Sequence, residues 1–262
     1  RNMGYFDPQF RAKYRTLVRS LTKNTLRRWH SLLSIRAADR VLFPTQAMRN
    51  VVQSYVAMPP GQAKVLHYGF DSDHFRSDSA IEDSARNRIR QLDRFNGPIV
   101  LNVSTYAVHK NIETLIKSLP YLLKQKPNLK LVTTTSRERT SDTKEYDALK
   151  RQAAALGVTG AWIEVGYVPY KSLSELYEVA DIYAFPSFTE SFGHSMLEAM
   201  ASGLPVVAAA TDVNKEVCAE AGLYFDTFDP VSCASAIIDL LSQPEKRAAA
   251  GEDSRKRSQQ FS

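Results

Sequence analysis

Two glutamates, Glu190 and Glu198, stand eight residues apart in the stretch TESFGHSMLEAM (189–200), with Ser191-Phe192-Gly193 directly after the first. An ionised carboxylate only accepts hydrogen bonds, and it can take two hydroxyl donors at once. The apolar spacing predicts a helix over 192–202, and a helix start offers free N–H groups and the positive end of a dipole. Glu198 then lies about 10 Å along the axis from Glu190, at about 1.5 Å per residue. A carboxylate on each side of an anion site makes little sense for a bare phosphate. It suits a ligand with hydroxyls at both ends and phosphate in the middle, as in a nucleoside diphosphate sugar. Ser191, His194, Ser195, Glu198 and Ser202 recur at spacings of three and four and share one helix face, while Phe192, Met196, Leu197 and Met200 turn toward the sheet. Gly193 leaves room for a ligand to approach the backbone. The spacing alone equally fits a solvated helix face at Glu198 and an ordinary loop carboxylate at Glu190.

These groups need elements to hold them. Strands are expected at 98–104, 129–133, 162–167, 181–185, 205–210 and 224–225. Helices are expected at 111–124, 146–156, 173–179, 192–202 and 231–241. Short apolar strands alternating with helices imply a doubly wound parallel α/β domain, Rossmann-like, whose ligands bind at the carboxyl ends of the strands. Lys110 lies in the loop after strand 98–104, where a cation can neutralise an anion, although a lone loop lysine is ordinarily solvated. Ahead of this domain, Asp7-Pro8 reads as an N-cap and first helical residue, opening a helix to about residue 33. Its apolar positions Phe10, Tyr14, Leu17, Leu21, Leu32 and Leu33 face a core, with Arg11, Arg15, Arg19, Lys23 and Arg27 on another face. Short strands at 40–44 and 64–67 flank a helix over 46–55, for which Thr45 is the cap. The polar residues 72–97 read as a connector.

The chain has 262 residues, 44% apolar and 24% charged, and contains no apolar run long enough to span a membrane. Residues 1–40 hold ten Lys/Arg against two Asp, a net of +8, and the remaining 24 bases and 26 acids net −2. The basicity is therefore local, which argues against a nucleic-acid-binding protein and admits contact of helix 8–33 with an anionic membrane. Cys218 and Cys233 form no disulfide framework or metal motif and read as small buried thiols in a reducing compartment.

The run FPSFTESFGHSMLEAMASGLPVVA resembles the E-x7-E region of retaining glycosyltransferases of family 4, which have the two-domain GT-B fold. Other segments match in order. RAADRVLFPTQAM resembles the family's late N-domain strand and helix, and VLHYGFDSDHF its hinge. HKNIETLIKSL resembles its lysine motif, and AGLYFDTFDP its closing region. The resemblance divides the chain into residues 1–70, the last portion of an acceptor-side N-domain; 71–96, a hinge and connector; and 97–262, the donor-binding domain. It implies a fragment lacking most of the N-terminal domain.

The resemblance implies roles residue by residue. Glu190 lies beside the donor sugar, and Lys110 pairs with the diphosphate; these two are the catalytic candidates. Phe192, Gly193, His194 and Ser195 hold sugar hydroxyls and phosphate, and Glu198 holds the ribose. Tyr167 and Val168 lie in the loop that meets the base. Thr105 stands where the family often has a second cation, so another group must supply that charge or the leaving group is held less tightly. The implied activity is transfer of a sugar from a UDP- or GDP-sugar to an acceptor hydroxyl with retention of configuration, without cofactor or metal. Asp71-Ser72-Asp73 falls in the hinge match and reads as structural. The implied acceptor is a glycan or lipid-linked molecule, and the location cytoplasmic, peripheral at the inner membrane face. Two other readings are a nucleotide-sugar-binding module inactive as built, and a GT-B-like sugar-nucleotide epimerase acting on donor alone.

Overall fold

The computed structural model describes residues 4, 6–8, 10, 18–71, 73–75 and 96–261. Most of the expected connector lies outside them, as do Arg11, Tyr14, Arg15 and Leu17 and the side chains of Arg19, Leu21 and Lys23. The first described elements are α1 (Val18–Ala37), β1 (Val41–Phe43), α2 (Gln46–Gln53) and β2 (Ala63–Val65), with β1 and β2 paired in parallel. Asp7 accepts from the Phe10 N–H (3.3 Å), and Thr45 Oγ1 accepts from the Met48 N–H (3.2 Å), so both expected caps form.

Residues 96–261 build a second sheet of six parallel strands. In chain order these are β3 (Ile99–Asn102), α3 (Ile112–Gln125), β4 (Lys130–Thr133), α4 (Thr143–Ala155), β5 (Trp162–Glu164), α5 (Leu173–Glu178), β6 (Ile182–Phe185), α6 (His194–Ala201), β7 (Val206–Ala209), α7 (Asp212–Cys218), β8 (Gly222–Phe225), α8 (Pro230–Ser242) and α9 (Pro244–Ser258). The spatial order is β5-β4-β3-β6-β7-β8. Every residue of β3, β6 and β7 is buried, because helices cover both faces. The strand period of two divides the side chains. Val100, Ile182, Ala184, Val207 and Ala209 join α3 and α8 in one core, while Ile99, Leu101, Tyr183, Phe185, Val206 and Ala208 join α5 and α6 in the other. This is the doubly wound, Rossmann-like architecture.

Three details depart from the sequence reading. Helix α6 begins at His194 rather than Phe192, because Gly193 (φ +97°) takes the left-handed cap position and leaves Phe192 in the loop. A Cβ at Gly193 would also lie 3.3 Å from Phe185 and Met196, so backbone conformation and packing demand this glycine, beyond any approach of a ligand. Helices α7 and α9 were missed altogether. Helix α7 is short. Helix α9 buries only Ala250, Gly251, Ser254 and Ser258, a seam of small residues on an otherwise polar helix, and it packs against α6 through them. At Gly251 a Cβ would meet the Gly203 carbonyl oxygen at 2.4 Å.

Candidate active site

Strands β3 and β6 are neighbours although three helices and two strands separate them in the chain. The strand order reverses there: β4 and β5 extend to one side, β7 and β8 to the other. The crevice outside such a switch point is where open α/β sheets bind ligands. Lys110 follows β3 and Glu190 follows β6, and the fold brings them to a 2.6 Å ion pair, both largely shielded from solvent.

The two loops are stitched together. The Phe188 N–H donates to the His109 carbonyl (3.0 Å). Buried Asn111 (φ +53°) donates from Nδ2 to the Pro186 carbonyl (3.1 Å) and the Thr227 carbonyl (2.7 Å). Asparagine tolerates this left-handed conformation better than most residues. In the Lys-Asn pair, the asparagine thus pins three loops and the lysine projects from the point they share. Asn111 was not among the expected site residues; its place beside Lys110 at a helix start was the signal. Burial, with the Lys110 charge, holds the neighbouring His109 below the usual histidine range.

Helix α6 starts beside this pair. Its first i→i−4 bond runs from the Leu197 N–H to the Gly193 carbonyl (3.2 Å), so the amides of His194 and Ser195 precede the helical ladder. Ser195 Oγ meets the Tyr183 hydroxyl at 2.9 Å, and that hydroxyl also donates to the Val103 carbonyl (3.3 Å). Phe192 is fully buried, and its ring packs on Tyr68, His194 and Phe261. His194 stacks on Tyr68 (centroids 5.3 Å apart), and burial lowers its pKa.

Glu198 does not lie on a solvated face. It is 9% exposed, and the Tyr177 hydroxyl donates to its Oε2 (2.9 Å). Burial raises its pKa, opposed by the Tyr177 bond and by His74. Tyr177 and His74 were not anticipated, and nothing in their sequence context marks them. His74 in turn stacks on Tyr170 (4.9 Å, 11°) and approaches its carbonyl (3.1 Å), tying the hinge segment to the loop after β5. Asp71 accepts from the His74 N–H (3.3 Å), a turn contact. Among the described residues no group of three or more His, Cys, Asp or Glu is placed to hold a metal ion.

Thr105, Tyr167 and Val168 come together in one recess with Arg139, a residue the sequence reading left in a polar loop. A second recess, about 350 Å³, borders Glu190 on its other side, where Asp7, Thr189, Thr211, Asp212 and Thr227 contribute polar groups. Thr45 Oγ1 donates to the Ser191 carbonyl (3.2 Å), and Glu216 accepts from the N–H groups of Gln46 (2.6 Å) and Ala47 (2.7 Å). These bonds link α2 to the sheet that carries the site.

Comparison with known proteins gives this geometry a family. The profile of the family described as glycosyl transferases group 1 matches residues 84–257. The D-inositol 3-phosphate glycosyltransferase of Acidothermus cellulolyticus is 33% identical over 218 residues, 79% of this chain and 46% of that protein. The GDP-mannose-dependent alpha-(1-6)-phosphatidylinositol monomannoside mannosyltransferase of Mycolicibacterium smegmatis is 29% identical over 223 residues, covering 82% and 56%. The chain spans about half the length of the curated relatives it matches. Among solved structures, sucrose-phosphate synthase from Thermosynechococcus elongatus superposes with a TM-score of 0.77 at 24% identity, over 95% of this chain and 60% of that one. Anabaena HepE in complex with UDP and glucose gives 0.76 at 20% identity, over 89% and 62%. At these identities the structural matches speak for the fold.

Proposed function

The chain belongs to the glycosyl transferases group 1 family, and we propose that its sheet of six strands binds a nucleoside diphosphate sugar and transfers the sugar to an acceptor hydroxyl with retention of configuration. The observation that carries this reading is the Lys110–Glu190 pair at the switch point, beside the start of α6. Departure of a nucleoside diphosphate builds negative charge on the leaving oxygens. The Lys110 ammonium and the leading amides of α6 are preorganised donors for that charge. The sugar ring gains positive charge at the same moment, and the Glu190 carboxylate offsets it. Binding a diphosphate gives Lys110 a second anionic partner and frees the carboxylate toward the sugar hydroxyls. Glu198, already oriented by Tyr177, takes the ribose hydroxyls on its remaining acceptor sites.

The acceptor enters from the other side of Glu190, where the polar recess offers carboxylates and hydroxyls to a hydroxylated molecule, a glycan or a lipid-linked one. Contact with an anionic membrane is supported by α1, which exposes Leu26, Trp29 and Leu33 beside Arg27, Arg28 and Arg36; Leu33, expected to face a core, turns outward while its neighbour Leu32 packs inward. No described helix is long and apolar enough to cross a membrane.

Titration with nucleoside diphosphates and their sugars, followed by NMR of the product anomer, tests the reading. Lys110→Ala is expected to lower turnover by about 100-fold or more, as for loss of one transition-state donor. Glu198→Ala should weaken nucleotide binding by about 1–3 kcal/mol. Wild-type turnover in the first, wild-type affinity in the second, or an inverted anomer would each remove the corresponding assignment.

A further inference from the structure

We propose that Arg139 reads the nucleobase of the donor and selects guanine over uracil, an inference that rests on the nucleotide-sugar reading above. The loops after β3, β4 and β5 enclose a recess of about 160 Å³, walled by Val103, Thr105, Thr134, Tyr167 and Val168 with Arg139 at its edge. It adjoins the start of α6, since the Val103 carbonyl accepts from the same Tyr183 hydroxyl that meets Ser195. Strands β4 and β5 lie one and two places beyond β3, on the side away from Glu190, at about 4.8 Å per strand. A nucleotide with its phosphates at Lys110 therefore directs its base into this recess, whose valines and Tyr167 suit a flat ring.

Among the described residues, Arg139 is the one charged side chain that lines the recess. Its guanidinium carbon lies 4.0 Å from the centroid of the Tyr167 ring, on the ring face. Its backbone is held in the turn Arg137–Arg139, whose flank is tied down by Thr140 Oγ1 donating to the Tyr106 carbonyl (2.9 Å). Its neighbour Arg137 is neutralised by Asp147 (2.8 Å), whereas no described carboxylate ion-pairs with Arg139. A stacked guanidinium keeps its N–H edge available, as a planar fork of two parallel donors. Guanine presents O6 and N7 as adjacent acceptors and fits that fork. Uracil has two carbonyls, O2 and O4, but each stands beside N3–H with no second acceptor next to it, and adenine places a donor beside N7.

Calorimetric Kd values for GDP, UDP and ADP test the assignment with the wild-type chain, Arg139→Ala, Arg139→Lys and Glu198→Ala. The expected result is a wild-type preference for GDP, which Arg139→Ala erases by weakening GDP about 10- to 100-fold while UDP changes little. Arg139→Lys should not restore it, because it keeps the charge and loses the fork. Equal losses for GDP and UDP would make the guanidinium a phosphate ligand and overturn the proposal, as would no loss or a wild-type preference for UDP. If Glu198→Ala weakens all three nucleotides while Arg139→Ala changes none, only the base assignment falls. If the wild-type chain binds none of them, the nucleotide-sugar reading falls with it.

Discussion

The two parallel sheets of this chain are built from similar segments and end in different states. In the sheet of six, β3, β6 and β7 are buried at every residue, with a helical layer on each face. In the sheet of two, Leu42 is 60% exposed on β1, and Leu66, just past β2, is 62% exposed. Its small core, including Phe43, Ala47, Met48, Val52 and Ala63, covers one face. An apolar strand residue therefore stabilises the fold only where a second layer meets it. The smaller unit is tied to the larger by polar and apolar contacts: Glu216 on the start of α2, Thr45 on the Ser191 carbonyl, the Tyr68 ring against His194 and Phe192, and Val213 in its small core. The Lys110–Glu190 pair belongs to the covered sheet, where burial holds loop geometry most tightly, and the smaller unit touches that machinery from outside.

Substitutions can break this contrast. Leu119→Ala, at a fully buried position on α3, should cost about 2–5 kcal/mol in urea unfolding, while Leu42→Ala should stay within about 0.5 kcal/mol. Comparable losses at the two sites would mean that the smaller sheet is also covered on both faces. Glu216→Ala removes a carboxylate acceptor from two backbone N–H groups and from His67, and should cost about 1–3 kcal/mol. If the smaller unit is held by that link, hydrogen exchange in α2 should rise while α3 stays protected; unchanged exchange in α2 would show that its own packing suffices.

The weakest signal is expected from pH. Burial holds His109 and His194 below the unfolded value of 6.5, so their contribution is present above pH 6.5 and is lost as pH falls through their folded values. Glu198 runs the other way. Its raised folded pKa means that its contribution is greatest below the unfolded value and declines as pH rises through the folded one. Between pH 7.5 and 5.5 the histidines should make stability fall, and replacing both with Gln should flatten that slope; an unaltered slope would count against their burial.

Much of this was legible beforehand. The strands at 99–102, 130–133 and 182–185 and the helices between them follow from local apolar runs and periodicity, with ends off by at most three residues. Lys110, Glu190, Glu198, Thr105 and Tyr167 were all picked out; the fold pairs Lys110 with Glu190, buries Glu198 against Tyr177, and brings Thr105 and Tyr167 to one recess. The misses share a cause. Helix α9 hides behind polar residues because its seam with α6 is made of small side chains, which periodicity does not weigh. Tyr177, His74 and Arg139 reach Glu198 or the recess of Thr105 and Tyr167 only through the elements packed beside them.

The amino-acid order by itself determined the element types, the parallel α/β class and the group of residues carrying polar chemistry, because these depend on neighbours three or four positions away and on which faces must leave water. Tertiary structure alone decided that β6 lies against β3, which turned Lys110 and Glu190, eighty residues apart, into an ion pair, and that Glu198 faces Tyr177 rather than solvent. Strand order is set by which covered sheet buries the most apolar surface, a property of the whole chain that no local window contains.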